Sequence, residues 1–85
     1  MKSNKIAREQ IFEIISNQMK ANDPPETKLT FERLKALGYS DMDAKKLIGQ
    51  CIAVETFHIL KHKEPFDLSR YTSNLNKLPE EPFDD

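Results

Sequence analysis

Eighty-five residues carrying 38% hydrophobic and 32% charged side chains describe one small domain with a thin core, near the lower size limit for a chain without disulfides or metals. The formal net charge of −1 excludes a general electrostatic pull toward nucleic acid or anionic lipid. A single cysteine, Cys51, excludes an intrachain disulfide, and no apolar run approaches the roughly 18 residues of a membrane span.

Charge is unevenly placed. Residues 1–63 hold 11 Lys and Arg against 8 Asp and Glu, whereas residues 64–85 hold 2 against 6. The body is mildly basic and the end acidic. The opening M-K-S-N-K-I-A-R-E-Q leads into F-E-I-I-S-N-Q, too short and too polar for a signal-peptide core, so a cytoplasmic location is expected, with no membrane partner.

The first helix is predicted over residues 4–21, with Ser3 as cap and Ala7, Ile11, Ile14, Ile15 and Met19 at helical spacing. Ile6 falls off that stripe and Phe12 lies at its edge, which marks both as candidate interaction residues on a second face. The second helix is expected over 24–37, capped by Asn22 or Asp23 with Pro24 in its first position. Its buried face is Thr27, Thr30, Phe31, Leu34 and Leu37.

Gly38 supplies a left-handed stop, and only Tyr39 separates it from Ser40, the cap of the third helix, with Asp43 three residues further on. The third helix is predicted over 41–63 and is ended by Pro65. From cap to proline it covers about 24 residues, roughly 36 Å, and forms the spine of the fold. The fourth helix, 68–78, is capped by Asp67, stopped by Pro79 and buries Leu68, Tyr71, Leu75 and Leu78. Residues 80–85, E-E-P-F-D-D, are expected to be a mobile acidic tail to a single domain spanning 1–79. Glu64-Pro65-Phe66-Asp67 recurs as Glu81-Pro82-Phe83-Asp84. No segment alternates with the period of a strand, so the fold class is all-α, a small four-helix domain.

The pattern N-D-P-P-E, R-L-K-A-L-G-Y-S, A-K-K-L-I and P-F-D-L-S-R-Y with L-N-K-L-P resembles small bacterial all-helical domains of unknown function, over Asn22 to Pro79. The resemblance implies helical boundaries and a bacterial origin and supplies no chemistry. The L-G-Y-S stretch is similar to the hydrophobic-Gly-aromatic loop of ubiquitin-associated-type three-helix modules, which implies a partner contact at Tyr39 and Met42. The helix after the loop is much longer than in that fold.

The third helix carries the one constellation with chemistry in view. On a helical wheel Leu47, Ile48, Cys51, Ile52 and Ile59 share a face with Glu55, His58 and His62. The spacing E-x-x-H-x-x-x-H lets the three polar groups converge, and Glu55, His58 and His62 are therefore candidate metal ligands. A di-iron centre needs a second such element, and zinc needs a further ligand that nothing designates. The competing reading makes Glu55 a buried carboxylate bonded to a backbone amide, Tyr39, Tyr71 or Arg70, with the histidines at the C-terminal end of the helix dipole.

A helix-turn-helix is suggested by the turn at Gly38. However, Leu34 stands where that motif takes a small residue, and Asp41 and Asp43 open the would-be recognition helix, so nucleic-acid binding is not expected. Cys51 falls on the buried face, there is no phosphate-binding loop, and neither a catalytic constellation nor a cofactor is expected. The chain is therefore expected to be a non-catalytic interaction or accessory module, self-associating or bound to an unidentified protein partner.

Overall fold

The computed structural model describes residues 8–80. It contains four helices: α1 (Arg8–Ala21), α2 (Pro25–Ala36), α3 (Asp41–His62) and α4 (Leu68–Lys77), with no strand among the described residues. The third is the longest at 22 residues. It packs against α1, α2 and α4; α2 also contacts α1 and α4.

Local chemistry sets the ends of these elements. After α1 the chain turns through Asn22 in the left-handed region (φ 53°), where the Asn22 amide donates to the Met19 carbonyl and the Asp23 amide to Gln18. Asparagine tolerates that conformation because its short polar side chain limits the steric cost. The same double bond closes α2, where Gly38 (φ 108°) donates to Lys35 and Tyr39 donates to Leu34. The Asp43 amide donates to Ser40 Oγ at 3.0 Å, and the Arg70 amide donates to Asp67 Oδ1 at 3.0 Å, so both predicted side-chain caps form. Helix α3 stops at Lys63, itself left-handed (φ 56°), ahead of Pro65.

The core consists of Ile15 from α1, Leu34 from α2, Ala44, Ile48, Cys51 and Ile52 from α3, and Tyr71, Leu75 and Leu78 from α4 and its cap. Ile11, Phe12, Met19, Phe31, Tyr39 and Leu47 pack around it, partly buried.

Several placements differ from the helical-wheel expectation. On α1, Phe12 turns toward the core and Ile14 is left exposed, because α2 and α3 flank a face centred on Ile15. Leu37 and Leu68, expected in buried stripes, are 59% and 51% exposed, since each stands at a helix terminus where the facing helix has ended. Ile59 is exposed for the same reason, lying in the last turn of α3. Helix α2 begins one residue later than expected, with Pro24 in the cap position, Pro25 as the first helical residue and no side-chain cap. The Ser3 cap, the helical start at residues 4–7 and the tail residues 81–85 lie outside the described residues.

Candidate functional site

Where α3 passes the start of α4, Glu55 is fully buried. A lone buried carboxylate is costly, and here it is met by a fork of donors. Arg70 Nε donates to Glu55 Oε2 at 2.7 Å, and Arg70 Nη2 donates to Oε1 at 3.0 Å. The Asp67 backbone amide donates to Oε1 at 2.9 Å. Glu64 Oε1 and Asp67 Oδ2 stand 3.9 and 4.0 Å from Arg70 Nη1. The Arg70 guanidinium is held above its ordinary pKa, first by its hydrogen bond to Glu55 and then by the three carboxylates, against the opposing effect of burial. One carboxylate thus joins α3 to the connection after it and to the first turn of α4.

The histidines do not share this clasp. Glu55 points into the Arg70 fork, while the rings of His58, partly buried, and His62, exposed, lie beside each other with centroids 5.4 Å apart. His58 Nδ1 lies 3.7 Å from Glu64 Oε1. Phe57 sits edge-on to both imidazoles, at 5.6 and 6.1 Å, and Lys61 Nζ lies 5.6 Å from its ring centroid. Among the described residues no group of three or more His, Cys, Asp or Glu side chains is arranged to hold a metal ion.

Of the candidate interaction residues, Met42 is 50% exposed, whereas Tyr39 and Phe12 are partly buried against the core. Ile6 lies outside the described residues. Tyr39 is thus a packing residue of the α2–α3 corner, and Met42 is on the surface in the first turn of α3.

Cys51 is wholly buried, and its thiol is pushed up to about 12 by burial and then by the charge of Glu55. A thiol held protonated is a poor nucleophile. Tyr71 is likewise pushed up to about 12 by burial, with the Thr27 hydrogen bond opposing. Unfolded, these groups release their protons near 9.0 and 10.0. Above pH 9 the folded chain therefore binds more protons than the unfolded one, so stability falls as pH rises. Thermal midpoints are expected to stay flat up to about pH 9 and decline above it, with Cys51→Ala delaying the onset. A profile flat to pH 11 in both proteins would contradict this.

Two polar arrangements escape sequence reasoning. Tyr71 Oη, Thr27 Oγ1 and Gln18 Oε1 lie 2.7–2.9 Å from one another, so the two hydroxyl protons are shared over three close contacts, with Gln18 Oε1 as acceptor. Arg33 of α2 closes the end of α4, donating from Nη1 to the Leu78 carbonyl and from Nη2 to Leu75, both at 2.9 Å. These partners are up to 53 residues apart in the chain, so no spacing rule announces them.

The surface adds a further feature. Among the described residues nine large apolar side chains are exposed, and five of them, Phe57, Ile59, Leu60, Phe66 and Leu68, fall between residues 57 and 68. Comparison of the chain with protein-family models, curated proteins and solved structures gives no match. No helix among the described residues is long and apolar enough to cross a membrane.

Proposed function

We propose that the chain is a non-catalytic protein-interaction module whose contact surface is the end of α3 together with the connection to α4. The observation that carries this reading is the run of exposed apolar side chains from Phe57 to Leu68, with Leu60 at 59% and Phe57 at 48%. Single exposed apolar residues are ordinary, but five within one short stretch of chain, interleaved with charged residues, is a composition that docking surfaces share. Lys61, Lys63 and Glu64 supply that rim. The clasp of Glu55, Asp67 and Arg70 ties the connection to α3 and to the first turn of α4, which holds the Phe66 and Leu68 part of this stretch in place and lowers the entropy lost there on binding.

Photo-crosslinking from a probe at Lys61 in cells tests the reading. The unmodified surface is expected to yield a defined protein adduct that disappears with Phe57→Ser/Leu60→Ser and persists with Leu29→Ser, a similarly exposed leucine on α2. An adduct pattern unchanged by the double substitution removes the proposal.

A further inference from the structure

A second surface, apart from residues 57–68, has the features of a peptide groove. Between α1 and α3 runs a groove of about 280 Å³, with Ile11, Phe12, Gly49 and Ala53 as its apolar part, Arg8 and Lys46 at its edge, and Gln50 beside them. Its volume lies below the range of cofactor pockets and suits one bulky side chain. Gly49 shapes it: a Cβ there would stand 3.1 Å from Ile11 Cγ2, so α1 and α3 meet closely with no side chain between them.

Among the described residues its polar groups have no ion-pair or hydrogen-bond partner at the ends that face the groove. Arg8 and Lys46 are exposed, and neither forms an ion pair among the described residues. Gln50 Oε1 is buried and accepts no hydrogen bond among the described residues. An apolar floor with two cations and an orphaned acceptor calls for an acidic segment that carries one bulky apolar side chain and a backbone N–H to donate.

This chain contains such a segment. Residues 80–85, E-E-P-F-D-D, hold four carboxylates around a single aromatic ring, with Pro82 limiting the freedom of the backbone before it. Reach decides which copy supplies it. Helix α4, from which the segment departs, lays its backbone against α2 and α3 and reaches α1 through the Tyr71 side chain, bonded to Gln18. Neighbouring helix axes lie 8–10 Å apart in general, so the groove on the α1 side of α3 is more than one such spacing away. Glu80 to Phe83 covers at most about 10 Å, too little to round α3 and insert a ring.

We propose that the groove between α1 and α3 takes the E-E-P-F-D-D segment of a second copy, with Phe83 on the apolar floor and the carboxylates against Arg8 and Lys46. Reciprocal exchange of the two segments closes a two-fold symmetric dimer.

Sedimentation velocity of the full chain over a range of concentrations tests this, together with a labelled synthetic peptide of residues 79–85. The expected result is a salt-sensitive dimer whose dissociation constant rises about tenfold or more with Phe83→Ala, and likewise with Arg8→Glu/Lys46→Glu. Circular dichroism checks that both variants remain folded. The peptide binds the Phe83→Ala chain and not the charge-reversed one. Mixing the two variants restores a weaker heterodimer, since one groove and one segment remain intact.

A dimer that persists in Phe83→Ala overturns the proposal. So does a strict monomer that binds no peptide. A strict monomer that binds peptide only after residues 80–85 are deleted overturns it in favour of docking within one chain. Phe57→Ser/Leu60→Ser leaves this dimer intact, so loss of the dimer in that variant alone removes the segment exchange and leaves the surface at residues 57–68 standing.

Discussion

Replacing Glu55 with alanine is expected to lower the free energy of unfolding by about 3–5 kcal/mol, because it empties a fully buried side-chain site, removes the acceptor of two Arg70 hydrogen bonds and leaves the Asp67 amide without an acceptor. A domain of this size has a total stability of roughly 4–13 kcal/mol, so the variant sits close to the unfolding threshold. Glu55→Gln keeps the shape and one acceptor for the Asp67 amide, and its expected loss is smaller, about 1–3 kcal/mol. Apolar replacement of both partners, Glu55→Leu with Arg70→Met, should recover much of what the alanine variant loses, since an ion pair taken out of water gains little over well-packed hydrocarbon. Urea unfolding of the three proteins settles the matter. A Glu55→Ala loss under about 1 kcal/mol, or a double replacement worse than the single one, would show that the clasp does not stabilise the fold by the mechanism given.

Tyr71→Ala is the second large loss, about 3–5 kcal/mol, as expected for truncating a fully buried aromatic ring. The ring fills the space between α1, α2 and α4, and it packs against Phe66 at a centroid distance of 5.2 Å. Tyr71→Phe isolates the hydroxyl. It removes the Tyr71 hydroxyl from the three-membered group and leaves Thr27 free to donate to Gln18, so about 1–2 kcal/mol is expected. Hydrogen exchange locates the effect: α4 amides should lose protection in Tyr71→Ala before those of α2 and the first half of α3. Equal losses in the phenylalanine and alanine variants would mean that the hydroxyl network, not ring packing, holds α4.

Both residues are visible in the chain to different degrees. Tyr71 lies on the stripe with Leu75 and Leu78, and its burial follows from helical spacing alone. Its hydroxyl partners do not, since Gln18 and Thr27 are brought to it only by the packing of α1 and α2. Glu55 is conspicuous as a carboxylate on an apolar face, and Arg70 is among the partners that its position suggests. Choosing Arg70 over Tyr39 or Tyr71 requires the turn after α3, because Pro65, Phe66 and Asp67 swing the first turn of α4 over Glu55. The histidines show the opposite case. Their spacing from Glu55 permits convergence, but the two rings pair with each other and with Phe57 while the carboxylate is taken up by Arg70 and the Asp67 amide.

By itself the sequence determines the element count, the all-α class and most helix ends, because these depend on contacts within a few residues: Ser40 with Asp43, Asp67 with Arg70, Gly38 and the prolines. Helical periodicity also gives each side chain its direction around the axis. It carries no information about how far the neighbouring helix extends, and for that reason Leu37, Ile59 and Leu68 point along apolar stripes yet meet solvent. Only the tertiary structure decides which stripe positions have a facing wall, which donors reach Glu55, and that Gly49 leaves a groove between α1 and α3 with Arg8 and Lys46 at its edge.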